Sequence, residues 1–252
     1  MYIQSLTEGM NLDVQVAQPV SFYLNGAFYG MMILTERTNE DYVEHNYGLK
    51  KDEIDFLSVS AGYGYECEAG TKEAYDRMID YVSKNYESED FYNELDKMME
   101  IDEYVDYQIV EQYVGNTDWV SNNTKLWRNK EGGRFRWILF DTDFGLSKAS
   151  AVDKDMIKFA TEEKGNEPMW TLLKCCLKNE DFRWKFLDQY LDRLENQFTD
   201  ERIDTKLDSI WDLTRLEMCA TIKNSGFLGT PGSLDDFNET VEDMRNFAKV
   251  RK

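Results

Sequence analysis

The stretch Gly115–Ser147, "GNTDWVSNNTKLWRNKEGGRFRWILFDTDFGLS", decides how this chain is built. Gly115 closes an apolar, helix-patterned run, as a left-handed stop residue does. After Asn123, "TKLWRN" and "RFRWILF" flank Gly132-Gly133, so a strand, a turn and a second strand are expected. A polar loop therefore joins a helix to a hairpin, and the hairpin ends in Asp141-Thr142-Asp143.

That arrangement sets four polar side chains in two loops. Asp118 and Asn123 follow the helix, and Asp141 and Asp143 close the second strand. Because strand side chains alternate, Asp141 and Asp143 share one face, and both carboxylates can point at one cation. Magnesium takes few protein oxygens, because phosphate and water complete its octahedron. Asp118 to Asn123 has the D-x-x-x-x-N spacing of a protein-kinase catalytic loop, and Asp143-Phe144-Gly145 spells the kinase metal motif. The His-Arg pair that precedes such a catalytic Asp is replaced by Asn116-Thr117. On pattern alone a second reading stands beside this one, in which the four residues cap turns in solvated loops.

Outward from this stretch the chain divides by pattern. Upstream, "QPVSFYLNGAFYGMMILTER" alternates on both sides of Asn25-Gly26, the signal for a type I′ hairpin with strands near Val20–Leu24 and Phe28–Thr35. A short helix opens at Thr38/Asn39 and ends at Gly48. "GLKKDEIDFLSVSAGYGYECEAG" reads as loop and short strand. "TKEAYDRMIDYVSKNY" is helical, with Ala74, Met78, Tyr81 and Val82 on one face. The run from Phe91 to Val114 reads as one or two helices broken near Ile101–Asp102. Downstream of the hairpin the chain is helical, with caps at Thr199 and Ser233. The fold class is α+β: a small N-terminal antiparallel sheet region, a central hairpin carrying D-x-D, and a helical C-terminal region.

Composition narrows the function. The 252 residues are 42% hydrophobic and 14% aromatic, enough for a substantial core in one domain or two packed lobes, and three Pro leave no linker. Against 29 Lys and Arg stand 49 Asp and Glu, a net charge of −20 that opposes nucleic acid and anionic membranes and suits a basic protein partner or a divalent metal. A single histidine, His45, and four Cys without C-x-x-C spacing exclude structural zinc and a His-based triad. Cys175 and Cys176 fall in an apolar helical pattern and are expected as buried free thiols. No apolar run is long enough to span a membrane, and residues 1–12 do not have the pattern of an export signal.

Three blocks together resemble the CotH kinase family, spore-coat protein kinases of an atypical, secretory-pathway-like fold. They are "PVSFYLNGAFYGMMILTER", the pair "GNTDWVSNNTKLWRN" and "FRWILFDTDFG", and "LLKCCLKNEDFRWKFLDQYLDRLENQFTDERI", covering most of residues 18 to 207. The resemblance implies an atypical protein-kinase-like domain over residues 1–252, with a small-lobe part near 1–70 and a large helical lobe at 71–252. It implies ATP and Mg²⁺ or Mn²⁺ as cofactors, and Ser/Thr of coat or cell-surface proteins as substrate. Asp118 becomes the catalytic Asp, Asn123 and Asp141 metal ligands, and Asp143 the second acid of D-x-D, so the "DFG" is out of register. Glu36 and Arg37 are placed at the nucleotide side, and Trp119 and Asn122 as supports of the loop. Family members carry a further upstream stretch with R-G-N-S-like and Lys-rich motifs that supplies a nucleotide-binding cation, so this chain is expected to lack part of the small lobe. The location implied is extracellular, at a cell surface or spore coat. A second reading is a catalytically degenerate member that binds a protein or glycan.

Overall fold

A computed structural model describes residues 1–60, 64–147, 152–161, 168–224 and 231–251. Sequence readings that extend into 61–63, 148–151, 162–167, 225–230 or 252 lie, in that part, outside the described residues. Among the described residues the chain forms ten α-helices and seven strands. In order these are α1 (Tyr2–Leu6), β1 (Asp13–Val14), β2 (Ala17–Leu24), β3 (Ala27–Thr35), α2 (Glu40–Tyr47), β4 (Ile54–Ser60), β5 (Gly64–Ala69), α3 (Glu73–Asn85), α4 (Phe91–Leu95) and α5 (Ile101–Tyr113). They continue with β6 (Thr124–Asn129), β7 (Arg136–Leu139), α6 (Met156–Thr161), α7 (Pro168–Cys176), α8 (Glu180–Asp192), α9 (Asp200–Lys223) and α10 (Leu234–Val250). A π-helical turn, Arg193–Gln197, extends α8. The architecture is mixed α+β, as the sequence pattern leads one to expect.

The N-terminal hairpin forms as its turn chemistry dictates. Asn25 and Gly26 both have left-handed backbone, φ 51° and 82°, and Leu24 pairs with Ala27 across them. β2 and β3 make a sheet of their own, supported by α9: Met31 N–H donates to Thr221 Oγ1 at 2.8 Å and Asn224 Nδ2 to the Phe28 carbonyl at 2.9 Å.

The second sheet has five strands in the order β1-β7-β6-β4-β5. It draws on residues from both sides of residue 70. Its β6–β7 pair is the hairpin read from sequence, but the segment read as loop and short strand supplies two strands, one of them interior. All of β4 except Ser60 is buried, so no period-two contrast marks it. Its Asp55 has a surface residue's identity yet is 2% exposed, held by Arg128 Nε at 2.9 Å and by the Thr71 N–H at 2.9 Å. β1 joins the other edge in parallel to β7, pairing Asp13 with Ile138. Buried Asp13 accepts from Trp127 Nε1 at 2.8 Å and from Arg136.

α5 runs behind this sheet with twelve of its thirteen residues buried. Both Glu103 carboxylate oxygens accept the Trp137 N–H, at 3.0 and 3.1 Å. The break between the two central helices falls at residues 96–100, ahead of the expected Ile101–Asp102, because the Met98 carbonyl and the Glu100 N–H bond to Phe135 instead of continuing a helix. The Thr199 and Ser233 side chains cap α9 and α10, accepting from Arg202 and Asp236 N–H. Cys175 and Cys176 are buried free thiols. No helix among the described residues is long and apolar enough to cross a membrane.

Candidate active site

The end of α5 and the end of β7 carry the site. After Tyr113 the helix stops at Gly115, whose φ of 66° reverses the chain. The loop that follows holds Asp118, and its carboxylate is fixed from two sides: Asn122 Nδ2 donates to Oδ2 at 3.0 Å and Asn123 Nδ2 to the same oxygen at 3.1 Å. Oδ1 takes no part in either bond. Trp119 is 3% exposed and donates its indole N–H to Tyr107 Oη at 3.0 Å, which pins the loop to α5.

β7 ends at Leu139, two residues short of the acids, so strand alternation does not pair Asp141 with Asp143. Asp141 instead adopts left-handed backbone, φ 48°, and the two acids line the same cleft, near enough for Asp143 to raise the Asp141 carboxyl. The pair is docked on α5 through the Leu146 N–H, which donates to the Val114 carbonyl at 2.7 Å. Five described non-glycine residues have positive φ, and four of them, Val120, Asn123, Asp141 and Leu146, lie in these two loops. Left-handed backbone at a β-branched Val costs energy, and such outliers gather where a site over-determines the chain.

Electrostatics tie the loops together. The Asp141 carboxyl is raised above its ordinary range, first by partial burial, then by the Asp143 charge and hydrogen bond, then by Asp118. Two carboxyls in contact call for a shared proton or a cation between them. Glu111, fully buried in the last turn of α5, is pushed up to about 8 by burial; its bond from Asn116 opposes that, and the Asp141 charge adds to it.

Asp141 and Asp143 open onto a cleft of about 550 Å³, within the roughly 300–1,000 Å³ of small-ligand sites. Gln4, Gln15, Thr35 and Met244 form other parts of its wall, so α1, the hairpin and α10 all reach it. Among the described residues no Lys or Arg lines it. Glu36 lies behind Gln15: its carbonyl accepts from Gln15 Nε2 at 2.8 Å, its Oε1 accepts from Asn46 Nδ2 at 3.1 Å, and its Oε2 is buried without a partner. Arg37 is exposed and outside the cleft wall. Lys125 sits over the Phe140 ring at 5.4 Å and donates to the Thr38 carbonyl.

A model of the CotH kinase protein family matches residues 2–252. The chain belongs to the CotH kinase family. No curated protein matches it. A CotH kinase domain is kinase-like in general, which makes the donor set around Asp141 the next question. Among the described residues no three His, Cys, Asp or Glu side chains are placed to enclose a metal ion. Two carboxylates in contact do suit Mg²⁺, which takes one or two carboxylates and leaves its remaining positions to water and substrate phosphate. The residues present therefore fit such an ion without enclosing it.

Two residues of the site escaped the sequence reading. Asn116 was visible only as the absence of a His-Arg pair, and Glu111 only as an acid inside an apolar helical run. That second signal was usable, since an acid at a buried helical position needs a partner.

Proposed function

We propose that this CotH kinase domain is an ATP- and Mg²⁺-dependent protein kinase that phosphorylates Ser or Thr of protein substrates at a coat or cell surface. The observation that carries the reading is that Asp118, held by two amides, lies close enough for its charge to act on Asp141, which lines a cleft together with Asp143. Phosphoryl transfer is mostly positioning and charge neutralisation, so few groups are needed.

Each residue then has a task. Asp118 orients the acceptor hydroxyl and takes its proton through Oδ1 while Asn122 and Asn123 hold Oδ2. Asp141, Asp143 and Asn123 would hold Mg²⁺, which when bound neutralises the phosphate oxygens. A cation held there would offset the charge that Asp141 and Asp143 place side by side. The acidic chain, at −20, attracts a basic substrate. Thermal shift tests the nucleotide claim, since a ligand selective for the fold must stabilise it. Addition of ATP with Mg²⁺ raises the melting temperature, and ATP with chelator does not. No shift at saturating Mg²⁺ and ATP overturns the claim.

The absence of Lys and Arg side chains from the described cleft wall favours a second reading, a degenerate member that displays an acidic surface to a basic protein. That reading predicts stabilisation by a basic peptide and none by nucleotide.

A further inference from the structure

Beside the Trp119–Tyr107 bond, a second side chain, Asn116, ties the loop that carries Asp118 to a buried residue of α5. Asn116 is fully buried and uses both ends of its amide: Nδ2 donates to Glu111 Oε2 at 2.8 Å, and Oδ1 accepts the Asp118 backbone N–H at 3.1 Å. Its own N–H donates to the Glu111 carbonyl at 3.1 Å. We infer that Glu111 and Asn116 are positioning residues that set the backbone of Asp118, and with it the direction of the carboxylate, from the rigid end of α5. The inference rests on the reading of Asp118 as the group that meets the acceptor hydroxyl.

An Asn side chain that bonds the N–H two residues on is a common turn device and needs no partner behind it. Here there is a partner, and its position is costly. Glu111 is 0% exposed, lies in the last turn of a helix where negative charge is disfavoured, and leaves Oε1 buried without a partner. Packing alone would favour an apolar residue there. The Asp118 N–H can only donate, so the Asn116 amide must turn oxygen toward it and nitrogen toward position 111. An acceptor at 111 satisfies that nitrogen, whereas an apolar residue strands it in the core. Glu111 thus selects one of the two amide orientations, and the selected one holds Asp118. The same helix end carries the Asp141 loop through Val114 and Leu146. One rigid element therefore sets the spacing between the two halves of the site.

The test combines hydrogen exchange with phosphotransfer, using Glu111→Leu, Asn116→Ala and the conservative Glu111→Gln in the full chain. Glu111→Leu and Asn116→Ala should speed exchange of the Asp118 amide about tenfold, the scale of one lost hydrogen bond, while amides in the middle of α5 and in β6 keep wild-type protection. Their kcat should fall about 100-fold, the usual cost of a misplaced group, with KM for ATP unchanged. Glu111→Gln keeps an acceptor oxygen and restores both readouts. Wild-type exchange at Asp118 in Glu111→Leu and Asn116→Ala would overturn the inference, as would Glu111→Gln behaving like Glu111→Leu. If wild type transfers no phosphate while the exchange pattern holds, the kinase reading fails and the positioning of Asp118 stands.

Discussion

Asn123 Nδ2 donates to Asp118 Oδ2 at 3.1 Å, so the five-residue spacing seen in the sequence is a physical contact. Asn122 makes the same kind of bond at 3.0 Å, yet the two amides have different assigned roles. Asn122→Ala should lower kcat while leaving KM for ATP and the Mg²⁺-dependent thermal shift intact. Asn123→Ala should lose both, because on the proposed reading it removes an oxygen that would hold the metal as well as a support of Asp118. Equal behaviour of the two variants contradicts this division.

Gly145 supports the acid loop by having no side chain. A Cβ there would sit 2.8 Å from Val114 Cγ2 and 3.1 Å from Ile3 Cδ1. Gly145→Ala must push the loop away from α5 and α1, at about 1–3 kcal/mol. Chemical denaturation should show that loss, and the Mg²⁺-dependent shift should weaken with it. An unchanged midpoint would mean the loop absorbs the methyl group freely.

Glu111 gives a pH signature. Its carboxyl titrates at about 8 in the fold because burial disfavours its charge, against an ordinary value of 4.5. Asp141 adds to the shift, the Asn116 bond opposes it, and the Glu111 charge in turn raises the neighbouring Tyr107 hydroxyl. The folded state therefore holds a proton that the unfolded state has released. This contribution is fully present below about pH 4.5 and is lost as pH rises through about 8, by at most ~1.4 kcal/mol per pH unit. Below pH 8 the neutral acid accepts from Asn116 through its carbonyl oxygen, as glutamine does. Urea melts across pH 5 to 8 should show wild type losing stability relative to Glu111→Gln, and parallel curves would contradict the assignment.

Asp13 and Arg136 fasten β1 to β7, the strand that delivers the acid pair. Asp13 is 4% exposed, and Arg136 Nη2 reaches it at 2.9 Å. Arg136→Met leaves a buried carboxylate with the Trp127 indole and the Tyr47 hydroxyl as its remaining partners. A loss of about 3–5 kcal/mol is expected in urea melts, the scale for breaking a buried pair. A loss under about 1 kcal/mol would place the pair among surface ion pairs.

Parts of this molecule were legible in sequence because they rest on local chemistry. Asn25-Gly26, Gly48, Thr199 and Ser233 each fix a backbone turn or a cap, and each does so in the fold. β4 was not legible, because a strand buried on both faces shows no alternation and its Asp55 hides a pairing with Arg128, 73 residues away. The acids at 141 and 143 were found for a reason that the fold replaces: a left-handed turn at Asp141 brings them together where strand alternation was expected. Asn116 and Glu111 depend on a hydrogen bond between a helix interior and a loop, which no periodicity encodes.

The central claim is that Asp118 and Asp141 form one phosphotransfer site. Transfer of labelled γ-phosphate from ATP with Mg²⁺ to a basic, Ser-containing protein, compared among wild type, Asp118→Asn and Asp141→Asn, tests it most directly. The account predicts incorporation by wild type, a loss of about 10²–10⁴-fold in Asp118→Asn with nucleotide-dependent stabilisation retained, and loss of both transfer and stabilisation in Asp141→Asn. Wild-type incorporation no greater than that of either variant would contradict it.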